Sequence, residues 1–375
     1  FPNLRFPGFE GEWEIKKLGE LTELITKGTT PKKFVNKGVK FIKIECFDGN
    51  MIDPERCLFI DEEIHNKELK RSILKENDLL FAIAGATIGK VNFVNNEILP
   101  ANTNQALAII RLKKTENSKF VYQILKSDIM HRYIKDSISV GAQPNLNLQQ
   151  MNEFSFFYPS ISEQQKIGSF LYPIDERIAT QKKIIEVLKT LKVQTRKKLI
   201  VKIIKEDYEP LLVKEILNYE QPTKYIVLNT DYSDDKGLTP VLTANKSFIL
   251  GYAEENFGVY DKGNCIILDD FTMDLKYVNF PFKVKSSAIK ILKAKEGINL
   301  KFVFEYFSFL NFSSNEHKRH YISEIEKMSI VLPKIEIQNK IARFLTALDE
   351  KINLEIDLLT QYELQKRYLL SNLFV

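Results

Sequence analysis

Residues 158–178 and 332–352 are two versions of one segment. At a constant offset of 174 positions, Pro159, Gln164, Lys166, Ile167, Phe170, Leu171, Asp175, Glu176 and Ile178 recur as Pro333, Gln338, Lys340, Ile341, Phe344, Leu345, Asp349, Glu350 and Ile352. Such gapless identities in so short a window mark an internal duplication. A fainter echo lies upstream, where Pro31, Lys33 and Phe34 face Pro222, Lys224 and Tyr225 at an offset of 191. Two related domains with unequal insertions keep their order while the offset changes. The chain is therefore expected to fold twice into the same plan.

Each repeated segment opens on a proline, which suits a strand-to-helix boundary. Apolar residues then recur three or four apart, the spacing of a coiled-coil seam. In the first copy they are Ile167, Leu171, Ile174, Ile178, Ile185 and Leu188; in the second, Ile341, Leu345, Leu348, Ile352, Ile356 and Leu359. Polar Gln181, Lys192 and Thr195 interrupt the first seam, and Pro173 predicts a kink near its start. Neither stripe can be buried alone. The two helices satisfy each other by pairing within the chain, and a homodimer would satisfy them equally well.

Between the helices lie mixed segments, roughly 14–157 and 209–331. Short β-type runs at 39–44, 78–84, 106–112, 265–268 and 288–292 alternate with helical stretches at 120–133 and 300–310. Each segment reads as an α/β or α+β domain. A length of 375 residues, 44% hydrophobic and 27% charged, fits two or three ordinary globular domains. No apolar run approaches a membrane span and the first residues hold no signal-peptide core, so a cytoplasmic protein without membrane contact is expected. Cys46, Cys57 and Cys265 form no C-x-x-C pair and read as reduced thiols.

Enzymatic motifs fail on spacing. The segment 85–91 has three residues between its glycines and Val91 after Lys90, so it is a strand-to-strand turn rather than a phosphate loop. His317 and His320, with Lys318 and Arg319 between them, read as an exposed basic cluster rather than a metal site. Asp261, Asp274 and Lys276 fit the permissive acid…acid-x-lysine pattern of metal-dependent nucleases, which is kept as the enzymatic alternative. No metal site and no catalytic residue is otherwise assigned.

Polar and basic loops point instead to binding. The net charge of +5 permits a polyanionic partner. Candidate DNA contacts are Thr29, Thr30, Lys32, Lys33, Thr87, Lys90, Asn104, Gln105, Gln143 and Asn145 in the first half. In the second they are Thr243, Asn245, Lys246, Thr272, Lys276, Lys318 and Arg319. Lysine and arginine neutralise phosphate or read guanine, while asparagine and glutamine can read adenine bidentately. Lys192, Arg196, Lys197, Lys198, Lys202 and Lys205 load the first helix with positive charge, either for phosphate or as a solvated face.

Over essentially its whole length the chain resembles the specificity subunit of type I restriction–modification systems. The resemblance rests on LRFPGFEGEWEIKKLGEL, GTTPKK, NDLLFAIAGATIGK and GAQPNLNLQQMNEFSFFYPSISEQQKI in the first half. In the second it rests on TPVLTANKSFILGY, IILDDFTMDLKYVNFPFKVKSSAIKIL and the repeated helix. It implies an α/β (mixed α+β) protein with two target-recognition domains separated by two long antiparallel helices, a coiled coil with internal pseudo-two-fold symmetry. The implied division is a first recognition domain at 1–157, a spacer helix at 158–207, a second domain at 208–331 and a second helix at 332–375.

The implied function is non-catalytic. Each domain reads half of a bipartite double-stranded DNA target, while the helices set the gap and dock two methyltransferase subunits. Motor-nuclease subunits join through that complex. S-adenosylmethionine, ATP and Mg²⁺ are expected on the partners and no cofactor on this chain. Two departures stand out: Pro173 puts a continuous first helix in doubt, and Ile337-Gln338-Asn339 against Glu163-Gln164-Gln165 predicts an asymmetric polar contact at the helix start.

Overall fold

Short β-branched runs broken by Gly, Asn and Asp give short strands, and the long three-four stripes give long helices. A computed structural model describes residues 2–138, 144–244, 247–312 and 320–374. In chain order the first half comprises β1 (Glu14–Lys17), β2 (Thr22–Lys27), β3 (Val39–Ile42), β4 (Phe47–Asp48), β5 (Met51–Ile52), β6 (Leu58–Ile60), β7 (Leu79–Ala82), β8 (Val91–Phe93), β9 (Ala101–Thr103) and β10 (Leu107–Leu112). Then come α1 (Ser118–Leu125), α2 (Asp128–Ser137), α3 (Leu148–Glu153), β11 (Ser155–Tyr158) and α4 (Ile161–Ile204). The second half comprises β12 (Pro210–Leu212), α5 (Val213–Ile216), β13 (Leu217–Glu220), β14 (Thr239–Leu242), β15 (Ile249–Ala253), β16 (Cys265–Asp269), β17 (Leu275–Val278), β18 (Lys283–Val284) and β19 (Ile289–Ala294). It closes with α6 (Leu300–Leu310), β20 (Ser329–Val331) and α7 (Ile335–Leu373).

Two compact units result: Phe1–Ile184 with Glu355–Val375, and Ile185–Leu354. Both boundaries fall inside the long helices rather than at their ends. Among the described residues the first unit builds an antiparallel sheet β2-β10-β7-β8, a sheet β6-β3-β9 in which β3 and β9 run parallel, and the pair β1-β11. The second builds β13-β19-β16-β17, then β15-β14-β18 with β14 and β18 parallel, and the pair β12-β20. These three sheets match in order and direction between the units, and the first unit adds the pair β4-β5, so the repeated helix belongs to a duplicated fold.

Alternation along the strands buries both faces of each main sheet. In the first unit Leu79, Phe81, Ala108 and Ile110 pack with Phe120 and Leu125 of α1 and Ile167 and Leu171 of α4. Leu80, Ala82, Leu107 and Ile109 pack on the other side with Cys46, Cys57 and Ile98. In the second unit Ile266, Leu268 and Leu292 meet Phe302, Phe307 and Leu345, while Ile267 and Ile291 meet Tyr260 and Phe282. All three cysteines are free and buried.

Three expectations are corrected. The helical stretch at 120–133 is two helices, because Ser127 takes extended backbone at the α2 N-cap and its hydroxyl bonds back to the Ile124 carbonyl. Helix α4 runs through Pro173 as one 44-residue helix. That proline forfeits one backbone hydrogen bond, while the buried Ile167, Leu171 and Ile178 hold the turns on either side. Third, Ile356 is exposed and Glu355 takes the seam position. The seam passes through Ile352, Glu355, Leu359, Tyr362, Lys366 and Leu373, all buried or half-buried. Polar groups thus occupy the seam rather than end it.

Within each unit the helix halves pair antiparallel, inside one chain. In the first unit Gln181 donates to the Glu355 carbonyl at 3.0 Å, Lys182 meets Glu363 at 2.8 Å and Asp175 meets Lys366. In the second, Lys192 meets Asp349 at 2.5 Å, and Ile200 and Ile203 share a core with Ile341 and Leu345. The offset of 174 maps Asp175 onto Asp349 and Lys192 onto Lys366, so one ion pair is built twice with its partners exchanged. At the helix starts Gln164 donates to the Pro159 carbonyl and Gln338 to the Pro333 carbonyl, both at 2.8 Å. The expected asymmetry falls at the first residue of the triplet: Glu163 pairs with Arg5 at 2.8 Å, where Ile337 is exposed.

Candidate nucleic-acid interface

With both faces of each main sheet buried, recognition falls to the ends of the strands and the loops they carry. In the first unit the register pairs Ala108 with Lys27, Leu107 with Ala82 and Phe81 with Val91. The end of β2, the start of β10, the end of β7 and the start of β8 therefore share one edge. Hydrogen bonds then tie the loops together. Thr29 N–H donates to the Thr103 carbonyl (3.2 Å), Ile83 N–H to the Ala106 carbonyl (3.0 Å), Gly85 N–H to the Pro144 carbonyl (2.9 Å) and Leu146 N–H to the Ile83 carbonyl (2.8 Å). The Thr30 hydroxyl donates to Gln105 Oε1 at 2.6 Å, and Asn145 bridges to Ala84.

Thr29, Thr30, Thr87, Lys90, Asn104, Gln105 and Asn145 are thus gathered at one end of one sheet. Lys32 and Lys33 follow, exposed, on the loop leaving it. Gly28 permits the approach, since a Cβ there would lie 1.8 Å from the Thr103 carbonyl oxygen. Behind the loops, buried Asn102 donates to the Leu69 carbonyl at 3.0 Å and the Thr103 hydroxyl to the Ile42 carbonyl at 2.9 Å, which fixes β9.

The two ends of this sheet differ in where acids occur. The connections 28–38, 83–90, 104–106 and 144–147 contain Lys32, Lys33, Lys37 and Lys90 and not one Asp or Glu. At the other end acids and bases are mixed: Glu20, Glu76, Asp78 and Glu116 lie with Lys75, Arg111, Lys113 and Lys114. Lys37, which is not among the sequence candidates, lies on the connection 28–38. The signal that finds it is three acid-free runs, 24–44, 79–96 and 98–115, in a chain with 49 acidic residues.

The second unit arranges its counterpart differently. Glu220 pairs with Ile291, Asp269 with Ile289 and Leu268 with Leu275, so the turn 270–274 lies at the corresponding edge. Thr272 sits on that turn with its hydroxyl given to Asp274 at 2.8 Å. Lys276 is half-buried within β17, and Thr243 is buried with its N–H on the Phe248 carbonyl. The edge carries acids: buried Asp270 accepts from the backbone of His320 and Tyr321 and pairs with Lys290 at 3.5 Å. Gln143, Asn245, Lys246, Lys318 and Arg319, with His317, lie outside the described residues. His320 is buried, which removes it from the exposed basic cluster the sequence suggested.

Two further sequence readings change. Asp261 precedes β16 and Asp274 follows it, so the strand separates them by roughly 15 Å at ~3.3 Å per residue. No single cation is reached by both, and no group of three or more His, Cys, Asp or Glu among the described residues could hold a metal. The nuclease constellation is dismissed. On α4, Lys192 and Arg196 turn inward to Glu305 at 3.2 and 3.3 Å, leaving Lys197, Lys198, Lys202 and Lys205 exposed.

Under the helices each unit holds a charge cluster. Asp175 receives Asn50 Nδ2 and Lys126 Nζ at 2.8 Å, Gln123 Nε2 at 2.7 Å, and Lys366. Burial alone would raise its carboxyl, but Lys126 and Lys366 outweigh that and hold it below its ordinary value. Burial and the repulsion of Lys126 pull Lys366 down to about 7 despite Asp175. In the second unit Glu305 receives Lys192, Arg196 and Lys301, and Asp349 receives Lys192 and Lys301.

Comparison with known proteins matches residues 10–190 and 205–363 to the type I restriction modification DNA specificity domain. Residues of this chain are 40% identical over 182 positions to the EcoR124I/EcoR124II specificity subunit of Escherichia coli, covering 44% of this chain and 45% of that one. A putative type I restriction enzyme MjaX specificity subunit of Methanocaldococcus jannaschii is 24% identical over 96% of this chain and 92% of its own. This chain thus matches less than half the length of the first relative and nearly all of the second. Among solved structures, the type I restriction-modification S subunit from M. genitalium superposes over 100% of this chain and 99% of that one, with a TM-score of 0.71 and 16% identity. A chain from a study of complex assembly and conformational transition of the type I R-M system gives a TM-score of 0.54 at 13% identity, over 96% of this chain and 97% of that one.

Proposed function

This chain belongs to the type I restriction modification DNA specificity family, and we propose from that premise that it is the non-catalytic reader of a bipartite double-stranded DNA target. Each unit reads one half-site. The paired helices set the gap between the halves and dock two methyltransferase subunits, with motor-nuclease subunits recruited through that core. The chain carries no cofactor of its own; S-adenosylmethionine, ATP and Mg²⁺ act on the partners.

The observation that carries the reading is the gathering of acid-free, lysine-bearing loops at one end of the first unit's main sheet. Lysines there neutralise phosphate, while short polar side chains on a fixed edge read bases. The test is genome-wide mapping of methylated adenine in a host carrying the companion methyltransferase, with and without this chain. A split motif methylated only in its presence is the expected result. An unchanged pattern, with both proteins expressed, would remove the assignment.

A further inference from the structure

Asn104 sits where β9 turns into β10, at the centre of the gathered loops. Its side-chain Oδ1 accepts the Ala106 N–H at 3.1 Å, and its carbonyl accepts the Leu107 N–H at 3.4 Å. A backbone N–H can only donate, so the carboxamide has one orientation, with oxygen inward and the amino group outward. Among the described residues nothing accepts from that amino group. Neighbouring Gln105 lacks this property: the Thr30 hydroxyl that holds it can give or take a proton, so its carboxamide can turn.

A free asparagine reads adenine by donating to N7 and accepting from N6 together. Asn104 Oδ1 has one of its two lone pairs committed inside the turn, which fixes the carboxamide with Nδ2 as its free group. We propose that Asn104 is a specificity-determining residue that contacts the target solely as a donor, through Nδ2–H to an acceptor on a base edge. In the major groove those acceptors are N7 or O6 of guanine, N7 of adenine and O4 of thymine. The inference rests on the reading of the first unit as a DNA-reading domain, and it adds which half of the hydrogen-bond code this position can speak.

Asn104→Asp separates the two roles of the side chain. It keeps an oxygen for the Ala106 N–H, so the turn and the melting temperature should stay, and it removes both outward donors. In methylation maps with the companion methyltransferase, one position of one half-site should lose roughly 10- to 100-fold of its base discrimination, the other positions staying as they are. Asn104→Ser, which keeps an acceptor in the turn and replaces the amino group with one O–H on a shorter side chain, should relax the same position if the aspartate variant does not assemble. An unaltered motif, or a uniform fall at every position, would overturn the donor role while leaving the wild-type split motif, and hence the family reading, in place. Absence of a chain-dependent motif in the wild type would take both down.

Discussion

Gly28 and Lys366 each hold a place that only one kind of side chain can fill. A methyl group at position 28 would sit 1.8 Å from the Thr103 carbonyl oxygen, so the loop must back away from β9. Gly28→Ala should cost about 1–3 kcal/mol, as overpacking does, and blur the half-site read by the first unit, checked by thermal melts and methylation maps together. Lys366 is 7% exposed, and its ammonium is held down to about 7, well below the free lysine value near 10.4. Between those two values the unfolded chain binds the extra proton, so stability rises with pH across that interval. Urea midpoints of wild type should therefore gain on those of Lys366→Met from about pH 7 to about pH 10, with Asp175 ionised throughout. A constant difference would mean that Lys366 keeps its charge in the fold.

At the scale of elements, the two long helices were readable because a three-four stripe repeats in both. Leu171 and Leu345 occupy equivalent positions of the repeat and both are fully buried. Leucine-to-alanine changes at either should cost about 2–5 kcal/mol, read as a fall in unfolding free energy in denaturant. A cost below about 1 kcal/mol at one of them would show that its surroundings collapse onto the gap. The central strands β7, β10 and β16 were legible for a related reason: both sheet faces are buried there, so they appear as largely apolar runs, whereas edge strands such as β2 carry polar residues and were not read. What sequence hid were the partners of the polar seam positions. Nothing near Asp175 in sequence announces Lys366, 191 residues away, and nothing near Glu355 announces Gln181. Ile356 was therefore placed in the seam by its apolarity, one residue from the true position. The break between α1 and α2 hinges on a single serine cap, which periodicity does not register.

For the molecule as a whole, duplication was visible in the repeated helix and in the fainter echo of 31–34 at 222–225, yet the shared strand order was not. Outside the helices, the two units share a strand order without a matching sequence, because topology is kept by burial patterns that many residues satisfy. The candidate interface was legible in residue types and invisible in arrangement, since Thr29, Thr87, Asn104 and Asn145 meet only through the order β2-β10-β7-β8. Polyelectrolyte behaviour tests that arrangement. Replacing Lys32, Lys33 and Lys90 with glutamine should weaken binding to all sequences alike and flatten the plot of log affinity against log salt by about 0.9 for each phosphate no longer neutralised. An unchanged slope would place the phosphates elsewhere.

A sheet packed on both faces also bears on how such a chain can change over generations. Substitutions in the strands disturb one core or the other and are removed by selection. Most residues on the connecting loops at the strand ends are exposed and add little to those cores, so they drift at small energetic cost. Innovation is thereby confined to a narrow rim, where a new target can be acquired one residue at a time on a scaffold that stays put. A position such as 104, whose oxygen is needed by the turn, is then free to vary only among side chains that still supply one.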